Sequence, residues 1–270
     1  MSVAVIGLGN IGLAIGRRLT MRGQEVVGVE LSELRRTVWT AMTGLEAVER
    51  LDDVDWRDVT RVLVVVRLTE QAEEVLEALG RVAEGRVAES RPLTAFVVTT
   101  LEAEAATRLD RFATDQLRLV ELPVSGGEFG ALAGNLTVMG AGPLDDEDEA
   151  FLLSTIASKV VRFDGYGQPT MAKLVNNVLA AYNTAALAEM LRLADEVGLD
   201  AAKVYEVVLS GSGGSWMAGS LFEIVVDLLE KDVGLLQDRL GGLPRISVEG
   251  DGELTRALDG ARRLFAGPTT

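Results

Sequence analysis

Ser2-Val-Ala-Val-Ile6 runs directly into Gly7-Leu-Gly-Asn-Ile-Gly12, and an amphipathic segment, 13–22, follows. The first five residues suit a short buried strand, and the glycines let the chain turn at once into a helix. A strand, a glycine turn and a helix start in that order suit a pyrophosphate, because backbone N–H groups and the positive end of the helix dipole both face the anion. The turn therefore predicts that Gly7, Leu8, Gly9, Asn10, Ile11 and Gly12 hold a dinucleotide. Glycine turns before helices also occur without a nucleotide, so the surroundings matter. Glu30 ends the next strand-like run 23 positions after Gly7, where a carboxylate accepts hydrogen bonds from an adenosine ribose and repels a 2′-phosphate. NAD is the expected cofactor. Ser32, Arg35 and Arg36 lie just beyond and keep NADP open, and a solvated strand end is the plainer reading of Glu30.

Working outward, strand-like apolar runs at 3–6, 25–30, 61–66, 93–99 and 117–122, followed by 135–139 and 160–163, alternate with helical patterns. That alternation is the signature of a parallel sheet covered on both faces. Around Pro169 the pattern changes to an Ala- and Leu-rich stretch that is helix-permissive to about residue 197, roughly 40 Å as one helix. Beyond Gly198 only helical segments are apparent, separated by glycines at 211–214 and 241–242. The expected fold class is α/β: an N-terminal Rossmann-type doubly wound sheet over residues 1–164, then an all-α domain over 165–270 that begins with a long interdomain helix.

With 270 residues and 48% hydrophobic content, the chain can bury a full core and form two domains. Its formal charge of −15 argues against nucleic acid or an anionic membrane as partner, since both reward clustered Lys and Arg. No run is apolar enough to cross a bilayer. The apolar N-terminus lacks the basic leader of a secretory signal and is broken by four glycines in its first sixteen residues. The chain has no cysteine and no histidine, which removes disulfides, thiolate nucleophiles and most catalytic metal sites, so no metal is expected and a cytoplasmic location fits.

The missing histidine also restricts proton transfer. Hydride transfer to a carbonyl leaves charge on oxygen, and the donor must then be Lys, Tyr, Asp, Glu or Arg. None of Tyr166, Tyr182 and Tyr205 has a Lys four residues later, which sets aside the tyrosine-based arrangement. Lys173 is a lone cation in Met171-Ala-Lys-Leu-Val-Asn-Asn-Val-Leu-Ala180, and Asn177 lies one helical turn beyond it on the same face. Burial would lower the lysine pKa and let it give or take a proton, with Asn177 holding the substrate oxygen or orienting the amine. A lysine snorkelling from a packed helix is the alternative. A second loop, Pro123-Val-Ser-Gly-Gly127, follows a strand, and there Ser125, Gly126 and Gly127 can converge on a carboxylate; an unliganded glycine turn reads the same way.

Four stretches together resemble the β-hydroxyacid dehydrogenase family, whose members include 3-hydroxyisobutyrate dehydrogenase and tartronate semialdehyde reductase. They are Gly7 to Gly12, Pro123 to Thr137, Gly167 to Asn177, and Lys231-Asp232-Val-Gly234. The resemblance implies that Lys173 is the general acid/base, that Ser125, Gly126 and Gly127 hold the substrate carboxylate, and that Asn177 supports the reacting oxygen. It implies that Lys231 reaches in from the helical domain, although read alone Lys231 opens a charged helix start. Thr99 and Thr100 resemble a Ser-Thr pair near the nicotinamide. Arg67-Leu-Thr69 stands where the family commonly has Met-Leu-Pro, which puts Arg67 and Leu68 at the cofactor loop with a bulky cation the pattern lacks. The long helix implies a homodimer or homotetramer. The C-terminal domain looks somewhat short for the family.

The leading expectation is an NAD(P)-dependent oxidoreductase interconverting a small, carboxylate-bearing β-hydroxy acid and its semialdehyde or keto acid. A reductase of an imine or a larger ketone, with Trp216 and Met217 lining the pocket, is a second reading, and a non-catalytic dinucleotide-binding scaffold a third. Glu30 predicts a lower KM for NADH than for NADPH with the same substrate, and steady-state kinetics showing the reverse order would overturn it.

Overall fold

The computed structural model describes residues 2–86, 91–222, 224, 226–246 and 252–265. It opens with β1 (Ser2–Ile6), α1 (Asn10–Met21), β2 (Glu25–Val29), α2 (Glu33–Thr43), β3 (Ala47–Val48), β4 (Val59–Val64), α3 (Thr69–Glu84), β5 (Leu93–Val97), α4 (Ala103–Ala106) and β6 (Leu117–Glu121). The six strands form one parallel sheet in the order β3-β2-β1-β4-β5-β6. β1 is buried along its whole length, which is why its residues are apolar on both faces rather than alternating. Val3 and Val5 join a core with Ile15, Leu19 and Trp39, whereas Ala4 and Ile6 join the opposite core with Leu76 and Leu79. This is the doubly wound α/β architecture expected from the sequence.

A second, three-stranded sheet follows: β7 (Val124–Ser125), α5 (Gly127–Ala133), β8 (Leu136–Gly140), α6 (Asp146–Thr155) and β9 (Ala157–Arg162). β7 runs antiparallel and β9 parallel to β8, so the runs expected at 135–139 and 160–163 belong to this sheet. The two-residue strands β3 and β7 are too short to show any periodicity. β4 and β5 end earlier than their apolar runs: the N–H groups of Val98 and Thr99 both bond the Val64 carbonyl, and residues 65 and 66 are released into the loop facing β1.

Beyond the last strand the chain is helical: α7 (Gln168–Glu196), α8 (Ala201–Ser210), α9 (Trp216–Gly219), α10 (Val226–Leu240) and α11 (Glu253–Arg263). α7 starts with Gly167 as its cap and a proline in its first turn, the usual place for one. Asp200 and Ser215 cap α8 and α9 through their side chains. Among the described residues, α7 and α10 share a small buried apolar cluster, Leu174, Val178 and Leu236, with the partly buried Met171, Tyr182, Val233, Leu235 and Leu243 packed on it. Val175, Leu179, Met190 and Leu193 of α7 are exposed. No helix among the described residues is long and apolar enough to cross a membrane.

Trp39 is the largest fully buried side chain, and it fits because Gly16 leaves room: a Cβ there would lie 2.3 Å from the indole. Replacing Trp39 by Ala leaves a hole that Gly16 and Gly28 cannot fill, and is expected to cost about 3–5 kcal/mol, measurable as a lower midpoint of chemical denaturation.

Candidate active site

The strand order reverses beside β1, and the loops after β1 and β4 diverge there into a crevice. Gly7 has φ +91, and a Cβ on it would meet the Val65 carbonyl at 2.4 Å; one on Gly12 would lie 1.9 Å from the Gly7 carbonyl oxygen. Both positions exclude a side chain, so the turn closes tightly on itself and against the loop after β4. α1 starts here with no side-chain cap and no acidic residue in its first turn, leaving its N–H groups for an anion.

Glu30 sits beside the turn. Its carboxylate accepts from the Leu8 N–H at 2.8 Å and the Ser32 N–H at 2.9 Å, one bond on each oxygen. A lone pair on each oxygen is left for further donors such as ribose hydroxyls. The Arg36 guanidinium donates to the carbonyls of Glu30 and Leu31 at 2.7 and 2.8 Å and is thereby committed to the backbone. Arg35 is more than half exposed and lies 3.8 Å from the Glu30 carboxylate. The glycine turn and the Glu30 carboxylate fit a nicotinamide dinucleotide.

At the other end of the crevice, Lys231 is not at a helix start. It lies inside α10, and its ammonium donates to the carbonyls of Arg67 and Thr100, both at 3.1 Å. It thus joins α10 to the loops after β4 and β5, and burial lowers its pKa while Asp232 opposes that. The Arg67 and Leu68 N–H groups donate to the Gln71 side chain, while their own side chains are exposed. Thr99 is buried and holds the loop after β4, donating to the carbonyls of Val64 and Val66 and accepting from the Val66 N–H. Of the pair, Thr100 meets Lys231 through its backbone carbonyl.

The central cluster lies between α7, α10 and the segment after β6. Leu174 and Val178 of α7 pack with Leu236 of α10, which places Asn177 opposite Asp232, one turn before Leu236. The Asn177 amide donates to the Asp232 carboxylate at 2.5 Å. Asn176 donates to the Asn177 side-chain oxygen at 3.1 Å and reaches the Ser125 hydroxyl at 3.5 Å. Lys173 is set into this cluster with no hydrogen-bond or ion-pair partner among the described residues. Burial lowers its pKa to about 8 against the opposing pull of the Asp232 charge. Such an amine changes charge near neutral pH, which an ordinary lysine does not.

Asp232 and Asn176 were not assigned roles from the sequence. Asp232 read as half of an exposed Lys-Asp pair, yet it is buried; its one visible signal was an acidic residue four positions before Leu236, on the apolar face of α10. Of the two residues considered for a pocket wall, Met217 is packed away, while Trp216 is 65% exposed and its ring lies 3.9 Å from the point where a Cβ on Gly127 would be. No group of acidic side chains placed to hold a metal ion occurs among the described residues.

Two sequence profiles match the chain, one described as the NAD binding domain of 6-phosphogluconate dehydrogenase over residues 2–165 and one as the NAD-binding region of NADP-dependent 3-hydroxyisobutyrate dehydrogenase over residues 167–243. An L-threonate dehydrogenase of Pectobacterium atrosepticum is 31% identical over 255 residues, covering 88% of this chain and 81% of its own. A probable 3-hydroxyisobutyrate dehydrogenase of Mycobacterium bovis is 27% identical, covering 80% and 71%. The crystal structure of a 3-hydroxyisobutyrate dehydrogenase from Salmonella typhimurium superimposes with a TM-score of 0.74 at 23% identity, covering 99% of this chain and 95% of that one. Fold, crevice and matches together define an oxidoreductase that uses a nicotinamide dinucleotide. The chain belongs to the β-hydroxyacid dehydrogenase family.

Asp232→Asn keeps an acceptor for Asn177 but removes the charge that holds the Lys173 pKa up. The pKa is expected to fall from about 8 by roughly one unit, moving the lysine-dependent limb of the kcat/KM–pH profile to lower pH; an unmoved limb would separate Asp232 from Lys173.

Proposed function

We propose that this enzyme interconverts a small β-hydroxy acid and its semialdehyde or keto acid, with Lys173 as the general acid/base. The observation that carries the reading is the half-buried amine of Lys173, which has no hydrogen-bond or ion-pair partner among the described residues and is poised near neutral pH in the cluster of Asn177 and Asp232. A dinucleotide held by Gly7, Leu8, Gly9, Asn10, Ile11, Gly12 and Glu30 supplies the hydride chemistry when bound. In carbonyl reduction the Lys173 ammonium gives its proton to the developing alkoxide, and in alcohol oxidation the neutral amine takes the hydroxyl proton. Asn177, oriented by Asp232, donates to the reacting oxygen. Ser125, Gly126 and Gly127 bind the substrate carboxylate, with Asn176 within reach of the same group.

Lys231 then acts by fixing the loops that carry Arg67, Leu68 and Thr100 against the nicotinamide end of the crevice. NAD is the preferred cofactor, because Glu30 disfavours a 2′-phosphate and Arg36 is already bonded to backbone; the NADP-dependent description of one matching profile makes the comparison of both cofactors part of the test. On this reading the chain divides into a dinucleotide-binding domain, 1–164, and a helical substrate and dimerisation domain, 165–270, a division supported by the last strand ending at Arg162 and α7 starting at Gln168. The exposed apolar residues of α7 support a homodimer or homotetramer, and the lack of cysteine suits a cytoplasmic enzyme. The relatives' names make L-threonate and 3-hydroxyisobutyrate the first hydroxy acids to try.

The test is turnover with NADH and NADPH, or their oxidised forms, over a panel of small hydroxy acids, semialdehydes, keto acids, ketones and cyclic imines. Lys173→Ala should lower kcat by about two to four orders of magnitude while dinucleotide affinity stays nearly unchanged; comparable kcat would remove Lys173 from the role. Turnover confined to imines or large ketones would favour a pocket built around the exposed Trp216, and dinucleotide binding without turnover a scaffold.

The pH dependence follows from the lowered pKa. Reduction, which needs the ammonium, should decline as pH rises through about 8, and oxidation should rise over the same range. Because the folded pKa lies below the unfolded one, burial of Lys173 costs stability at pH below about 8 and the cost fades as pH climbs toward the ordinary lysine value. Lys173→Met should therefore be inactive yet melt at or above the wild-type temperature at neutral pH, and a lower melting temperature would contradict this account of the buried amine.

A further inference from the structure

Glu121, the last residue of β6, is completely buried, and the reaction as proposed does not use it. Its carboxylate accepts from two N–H groups at the start of α7, Gly167 at 2.6 Å and Thr170 at 2.8 Å. Its own N–H and carbonyl are both bonded to Ala141 at 3.0 Å, so the residue is fixed at the backbone as well as at the side-chain tip. No cation is paired with it among the described residues; what offsets its charge is the positive end of a 29-residue helix with no acidic residue in its first turn. Burial pushes the Glu121 carboxyl above the usual carboxylate range, and the hydrogen bonds from Gly167 and Thr170 pull it back.

The chain positions on either side of this clasp matter. Four residues after Glu121 comes Ser125, and three residues after Thr170, one helical turn, comes Lys173. We infer that Glu121 is a positioning residue for Lys173, its buried carboxylate setting the first turn of α7 against the end of β6 so that the Ser125 loop and the Lys173 amine face one substrate at a fixed spacing. The inference rests on the reading of Lys173 as general acid/base. Glu121 acts through backbone and never touches the reacting atoms. The alternative is a carboxylate that only stabilises the fold, and the two differ in what happens to properly folded variant protein.

Glu121→Gln replaces one acceptor by an amide N–H that opposes one of the two helix N–H groups, and removes the charge. The helix start is then expected to shift, and a displacement on the order of 1 Å costs about a hundredfold in rate. Measured per dinucleotide-binding site, kcat should fall at least about tenfold while Kd for NADH stays within about twofold of wild type, because the glycine turn and Glu30 lie elsewhere. The charged group facing Lys173 is Asp232, and the titratable neighbour of Glu121 is Tyr166. Neither is altered, so a move of the lysine limb in the kcat/KM–pH profile toward the ordinary lysine value reports a changed setting of Lys173. A folded Glu121→Gln protein with wild-type kcat and an unmoved limb would overturn the inference, as would a loss accounted for by a smaller fraction of NADH-binding protein. If that variant does not fold, Glu121→Asp, which keeps the carboxylate but draws it back from the Gly167 and Thr170 N–H groups, is read by the same criteria. Lys173→Ala run alongside separates the two ideas: retained activity there sinks the acid/base reading, whereas loss there with an unaffected Glu121→Gln sinks the positioning role alone.

Discussion

The reversal of strand order beside β1 is the constraint from which the rest of the molecule follows. Two neighbouring parallel strands lead to helices on opposite faces of the sheet, so their outgoing loops part and backbone N–H groups are left facing open space. Filling that space with side chains would cover the anion site, and the turn instead consists of glycines so crowded that a single Cβ at Gly12 would overlap the Gly7 carbonyl. The second half of the chain meets this crevice through α7 and α10, the first carrying Lys173 and Asn177, the second Asp232, which bonds Asn177, and Lys231, which bonds the loops after β4 and β5.

One carboxylate, Asp232, serves two amines. Its charge partly offsets the burial of both Lys173 and Lys231, while its hydrogen bond is given to Asn177. The division of labour comes from geometry. Lys231 donates to two backbone carbonyls, whereas Lys173 has no such acceptor among the described residues. In a chain with no imidazole, Lys173 is a group whose burial lowers its pKa to about 8 even against the charge of Asp232.

The sheet was legible because a parallel strand buried on both faces writes itself as a continuous apolar run, and Val3 to Ile6 does so. The glycine turn, Glu30, and the i, i+4 pair Lys173 and Asn177 were legible because each is a local pattern. What stayed hidden depends on contacts between distant segments. β7 is too short to have a period, and the ends of β4 and β5 are set by hydrogen bonds to each other rather than by hydropathy. Asp232 looked exposed because nothing nearby in sequence says that α10 turns it toward α7. Lys231 was placed near the site by family resemblance, yet its bonds to Arg67 and Thr100 backbone could not be read from residue identity, since any residue offers a carbonyl.

The meagre apolar contact between α7 and α10 has a consequence for heating. The sheet is cemented by two large cores, whereas among the described residues α10 is joined to α7 through the three buried side chains Leu174, Val178 and Leu236, edged by the partly buried Met171, Tyr182, Val233, Leu235 and Leu243. Segments so attached open at a lower free energy than the body of a protein. As temperature rises, a single chain loses the Asp232–Asn177 bond and the Lys231 tether while its nucleotide crevice is still intact. Thermal inactivation then precedes melting, and amide hydrogens of α10 exchange with solvent long before those of β1.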